Sequence, residues 1–168
     1  LEGAVLRITK QTDYGIVLMT LFATRRNGEA RSARDLALET GLPLPMVGKI
    51  LKLLVRDGLL ASQRGARGGY RLGRPAGLIF VADIVRALEG PIAITECVET
   101  GPGECRFLAG CSLQPNWVRI NQAIQQALQG ISLEDMAPAE GDGCGAMACG
   151  GGVSKSAQAL RQLAEGAA

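Results

Sequence analysis

At 168 residues, 47% of them apolar, the chain has material for one full domain or a small domain with an appendage, and with aromatics at 4% its core must be aliphatic. It contains no histidine, which excludes histidine general-base catalysis, Ser-His-Asp triads and His-ligated zinc. The net charge of +2 conceals a division: residues 1–75 carry 13 Lys/Arg against 6 Asp/Glu, a net of +7, and residues 76–168 carry 5 against 10, a net of −5. A compact basic half points to a polyanionic partner.

No apolar run approaches the ~18 residues needed to span a bilayer, and no charged-then-apolar leader opens the chain. A cytoplasmic location with reduced thiols is expected. The five cysteines are therefore read as ligands or redox groups before disulfides. Leu1-Glu2-Gly3-Ala4 fits no element and reads as an expression scar or an upstream extension.

The first helix is expected over Thr9–Arg26, with Ile16, Leu18, Met19, Leu21, Phe22 and Ala23 on a broad apolar face and Thr9 or Thr12 as its cap. Asp13 falls in its first turn, where an acid suits the positive end of the helix dipole. Ser32-x-x-Asp35 opens a short helix, Ala33–Glu39, stopped at Thr40-Gly41. After the turn Leu42-Pro43-Leu44, Pro45 starts a helix reaching Asp57. It places Val47, Ile50, Leu51 and Leu54 inward and Gly48, Lys49, Lys52 and Arg56 outward. Two short helices around a glycine-containing turn, the second cationic outside, form a helix-turn-helix with a recognition helix.

Leu59–Arg64 and Tyr70–Leu72 read as strands around a Gly-rich tip carrying Arg64 and Arg67, which makes a wing. In such a module Lys49 and Lys52 serve the major groove and Arg64 and Arg67 the minor groove of double-stranded DNA. A phosphate-cradling glycine loop joins strand to helix, whereas this one joins strand to strand. Pro75-Ala76-Gly77 reads as a hinge, followed by a helix over Val81–Glu89 closed by Gly90-Pro91.

Cys97, Cys105 and Cys111 then lie at x₇ and x₅ spacing in a loop rich in Gly and Glu. Sulfur-rich coordination from a pliable loop is what an iron–sulfur cluster requires. A thiol/disulfide switch is the rival reading. The loop is one ligand short, and Asp13, Gln114, a loop glutamate, Cys144, Cys149 or an exogenous thiol could complete it. Pro115 opens a long helix to Gln129 with Trp117, Ile120, Ile124 and Leu128 as an apolar stripe and Arg119, Asn121, Gln122, Gln125 and Gln126 opposite. The stripe suits pairing with a second copy, because half-sites in DNA are two-fold related. Ser132-Leu-Glu-Asp135 caps a last turn. The Gly-rich tail holds Cys144 and Cys149, possible secondary thiols, and a weak helix over Ser154–Glu165. The expected architecture is mainly α. A winged helix-turn-helix occupies 5–75, a cysteine loop and long C-terminal dimerisation helix occupy 76–137, and the tail occupies 138–168.

L-R-I-T-K-Q-T-D-Y-G (6–15), R-G-A-R-G-G-Y-R-L (64–72), D-I-V-R-A-L-E-G (83–90) and the cysteine loop together resemble the IscR/NsrR/RirA family of bacterial regulators. With the S-L-E-D-M-A ending (132–137), the chain looks most like the branch regulating the SUF iron–sulfur assembly operon. The resemblance covers about residues 5–137. It implies a winged-helix homodimer crossing through the long helix, with a 2Fe-2S or 4Fe-4S cluster on Cys97, Cys105 and Cys111. Some relatives add a histidine three residues after the last cysteine, where this chain has Gln114. Others use an acidic residue from the partner's first helix, which matches Asp13 and implies a ligand supplied in trans. An acidic discriminator in the recognition helix of other relatives matches Gly48, so their switching between operator types does not carry over. The implied function is repression of iron–sulfur assembly genes under cluster control. A thiol-switch or nitric-oxide-responsive repressor of the same fold is the alternative. An iron–sulfur electron carrier is more remote, since it needs no basic wing.

Overall fold

The computed structural model describes residues 8–24, 29–65, 68–95, 98 and 111–137. Helix α1 (Lys10–Ala23) starts at Thr9, whose hydroxyl oxygen accepts from the Thr12 amide at 3.3 Å. Thr9 is thus the N-cap. α1 buries Leu18, Met19 and Phe22 and ends before the expected Arg26, which lies outside the described residues. Helix α2 (Ala33–Thr40) is capped by Ser32, which accepts from the Asp35 amide at 3.1 Å, and stops at Gly41 in the left-handed region (φ 70°). Helix α3 (Leu44–Arg56) opens one residue before Pro45. Pro45 therefore sits inside the first turn, where its missing N–H has no intrahelical partner to lose. The expected four residues, Val47, Ile50, Leu51 and Leu54, are all fully buried.

Strands β1 (Leu60–Gln63) and β2 (Gly69–Leu72) pair antiparallel, Leu60 with Leu72 and Gln63 with Gly69. A third, one-residue partner joins them. The Arg31 amide donates to the Tyr70 carbonyl and the Tyr70 amide to the Arg31 carbonyl, both at 2.8 Å. A Cβ on Gly69 would lie 2.6 Å from the Arg31 oxygen, so only glycine admits this approach.

The expected hinge at 75–77 is a 3₁₀ turn, Ala76–Leu78, fastened by the end of the described chain. The Leu133 amide donates to the Ile79 carbonyl at 2.7 Å and the Val81 amide to the Ile131 carbonyl at 3.0 Å. Helix α4 (Val81–Glu89) has its expected bounds. Asp83 accepts from the Phe80 amide at 3.1 Å and pairs with Arg74 at 2.8 Å. Helix α5 spans Gln114–Gln129 and helix α6 is the single turn Leu133–Met136. At α6, Ser132 and Asp135 cap each other reciprocally, and the hydrogen bonds from Ser132 hold the Asp135 carboxyl below its ordinary range. Ile79, Ile84, Ala87, Leu88 and Leu133 share one aliphatic core with α1 and α3. α1 and α4 touch at Gly15, where an added Cβ would lie 2.2 Å from Leu88 Cδ1. No described helix is long and apolar enough to cross a membrane.

Candidate nucleic-acid interface and sensor loop

The outer face of α3 carries Lys49 and Lys52, both exposed and without an ion-pair partner among the described residues. Arg56, expected on the same face, is exposed but engaged, pairing with Asp57 (2.8 Å) and donating to the Ala87 carbonyl of α4 (3.3 Å). Arg64 is exposed at the end of β1, and Arg67 lies outside the described residues. The wing is cationic beyond its tip. Arg71, exposed on β2, was missed as a candidate, although strand alternation sends it outward from a half-buried Tyr70.

The second constellation joins α1 to α4. The hydroxyls of Thr9 and Thr12 both donate to Glu89 Oε1, and Gln11 Nε2 donates to the Leu88 carbonyl at 3.1 Å. Thr12 is fully buried, and its hydroxyl uses Glu89 as acceptor. The start of α1 is thereby clasped to the end of α4, eight residues before Cys97. Asp13, one residue beyond the clasp, is exposed and has no side-chain partner among the described residues. Thr9 caps the helix, and Asp13 stands in its first turn, beside the positive end of the helix dipole.

Of the predicted cysteines, Cys111 is a free, half-buried thiol just before α5. Cys97, Cys105, Cys144 and Cys149 lie outside the described residues. Among the described residues no three Cys, Asp or Glu side chains converge. Cys111 offers a free thiol and Asp13 a carboxylate without a side-chain partner among the described residues, both donor types that can ligate iron.

Helix α5 leaves Trp117 and Ile120 exposed, as a helix that pairs with a second copy would, and departs from expectation at Asn121. Asn121, assigned to the outer polar face, is 5% exposed, while Trp117 is 37% and Ile120 45% exposed. Asn121 Nδ2 donates to the Ile92 carbonyl at 2.9 Å, its Oδ1 accepts from the Ile94 amide at 3.3 Å, and Gln125 Nε2 donates to the Ile92 carbonyl at 3.0 Å. Hydrogen bonding to irregular backbone thus accounts for a buried polar residue on α5. Leu113, Trp117 and Ile120 are left as an apolar strip. An open apolar cleft of about 460 Å³ runs between α4, residues 91–94 and α5, with Ile8, Val85, Ile92 and Ile124 on its walls.

A cationic reading helix beside a hairpin wing defines the class, a winged helix-turn-helix DNA-binding protein. The profile of the Rrf2 family, described as iron-dependent transcriptional regulator, matches residues 8–139. Protein aau3 of Rhizobium meliloti is 35% identical over 135 residues, 80% of this chain and 86% of that one. The structure of CymR, the global cysteine regulator of B. subtilis, superposes with a TM-score of 0.63 at 31% identity, covering 79% of this chain and 96% of that one. The structure of T. potens IscR superposes with a TM-score of 0.60 at 28% identity, covering 78% and 85%. The chain belongs to the Rrf2 family. It is a homodimeric DNA-binding transcriptional regulator rather than an enzyme, and it works where the bacterial chromosome lies, in the cytoplasm.

Proposed function

We propose that the chain is a repressor of iron–sulfur assembly genes, of the SUF-regulating kind, that responds to an iron–sulfur cluster held by Cys97, Cys105, Cys111 and the partner's copy of Asp13. The observation that carries this reading is Asp13 itself: an exposed, unengaged carboxylate on a helix already capped by Thr9. The clasp of Thr9 and Thr12 on Glu89 holds that carboxylate at a fixed place on the DNA-binding half. The exposed strip of Leu113, Trp117 and Ile120 on α5 pairs the subunits and brings Asp13 across. The cluster, when bound, supplies a redox- and iron-sensitive link whose loss frees the loop from α1 of the partner. A carboxylate among three thiolates makes for a labile site, which suits a sensor. The labour divides as 5–75 for DNA, 76–137 for sensing and pairing, and 138–168 as a tail.

Anaerobic purification followed by visible spectroscopy and iron and sulfide analysis tests the reading, and the iron-to-sulfide stoichiometry with the spectrum separates 2Fe-2S from 4Fe-4S. Coloured protein containing both elements is expected. A colourless, iron-free homodimer under strict anaerobiosis would falsify the cluster and favour a thiol switch on Cys111, a reading that the likeness to a cysteine regulator also supports.

Lys49 and Lys52 supply phosphate contacts from α3, and Arg64 and Arg67 extend the wing to the minor groove. Arg64→Ala is expected to weaken binding to duplex DNA and to lower the slope of log K against log salt by about 1. Wild-type affinity with an unchanged slope in a fluorescence-anisotropy titration removes the contact.

A further inference from the structure

Residues 92–94 belong to no helix or strand, with a bend at Ile94, and their polar groups need partners. The Ile92 carbonyl and the Ile94 amide flank Ala93 and both meet one side-chain amide, that of Asn121, at 2.9 and 3.3 Å. A donor to one residue's carbonyl and an acceptor for the amide two residues on is what a neighbouring strand would offer. The Asn121 side chain takes the place of that strand. Gln125, one turn on, adds a second bond to the Ile92 carbonyl at 3.0 Å. Asn121 is 5% exposed, so these bonds are shielded from competing water.

The two sides of this contact have different errands. Residues 92–94 continue directly from α4, which is clasped to α1 through Glu89. Helix α5 begins three residues after Cys111, and its adjacent face, Leu113, Trp117 and Ile120, is uncovered at 58%, 37% and 45% exposure. A leucine at 121 would suit the hydropathy of the inward face, alongside half-buried Val118 and Leu128, but could not grip backbone. From these contacts we infer that Asn121, supported by Gln125, is a positioning residue that couples the backbone leaving α4 to the pairing helix α5. Displacement of residues 92–94 thereby moves α5, and with it the relation between the two DNA-binding halves. This deepens the proposed sensor function and rests on it. A coupling claim needs a coupling measurement rather than a line of contacts.

Three measurements on the full-length homodimer test it, using Asn121→Leu and, should that variant not fold, Asn121→Ser, in which water can satisfy both backbone groups. The first is amide hydrogen exchange at Ile94 in the iron-free protein, expected to quicken by about tenfold or more. The second is the alkylation rate of Cys111 in the same protein, expected to change as the start of α5 loosens. The third is the ratio of affinities, with and without bound iron, for the duplex that wild-type protein selects from a random-sequence pool. That ratio is expected to collapse toward one while both forms still bind DNA. Unchanged exchange at Ile94 overturns the grip. Faster exchange with an unaltered iron-dependent ratio overturns the coupling and leaves a structural asparagine. A wild-type protein whose DNA affinity ignores iron defeats the sensor function instead, and with it the coupling; exchange at Ile94 then still reports separately whether the grip exists.

Discussion

Gly15→Val is expected to destabilise the protein by about 3 kcal/mol, because overpacking a well-filled core forces neighbours off their rotamers. At Gly15 a first side-chain carbon would already lie 2.2 Å from Leu88 Cδ1, with Ile50 Cγ2 next at 3.6 Å. Valine adds two methyls to that and is stiff about χ1. A loss of this size lowers the thermal midpoint by roughly 10 °C in a domain this large. Alanine is the informative contrast. It gains helix propensity of about 1 kcal/mol over glycine, and the atom it meets is the terminal methyl of a side chain able to rotate away. Gly15→Ala should therefore fall well short of the valine loss. A Leu88→Ala change made together with Gly15→Val should cost less than the sum of the two single changes, which a double-mutant cycle measures directly. Wild-type thermal stability in Gly15→Val would show that α1 and α4 do not touch there. The effect reaches beyond stability, since Leu88 precedes Glu89 and Gly15 lies two residues beyond Asp13. Prying the helices apart opens the clasp that sets Asp13.

Subunit mixing gives the second large effect. If Asp13 serves the partner's cysteines, Asp13→Ala and Cys105→Ser homodimers each lose both cluster sites and the visible absorption. A mixed dimer, however, joins three intact cysteines from one chain with Asp13 from the other, so one of its two sites is whole. Random exchange of equal amounts yields about half mixed dimers, and therefore about a quarter of wild-type iron returns on anaerobic reconstitution of the mixture. A ligand supplied within one chain predicts no recovery, because every chain lacks one donor. An Asp13→Ala homodimer with wild-type spectrum and cluster lifetime removes Asp13 altogether.

The parts of the fold that were legible are those where local rules agree with tertiary packing. Helix α4 has its expected bounds because V-A-D-I-V-R-A-L-E combines a helical apolar period with a Gly-Pro stop. The buried stripe of α3 follows from periodicity alone. The burial of Asn121 was not legible, since periodicity placed it on the polar face opposite the apolar stripe. Asn121 goes inward for backbone groups 27 and 29 residues away in sequence. The Arg31–Tyr70 bridge is a single residue long and leaves no periodic trace. The 75–77 segment looked like a hinge from Pro and Gly, yet residues 131–133 hold its far end. At the candidate site, the family resemblance pointed to Asp13, and the structure adds that Thr9, one of the two expected caps, is the N-cap and that Asp13 has no side-chain partner among the described residues.

The two short bonds between Arg31 and Tyr70 have a consequence for the DNA. They fasten the hairpin to the segment that leads into α2, so the wing is tied to the helix-turn-helix by backbone at a second point besides the chain itself. If wing and reading helix move as one piece, each subunit measures its own stretch of duplex with a fixed gauge. A sensor acting at the pairing helix then changes the preferred half-site spacing rather than the bases each subunit reads.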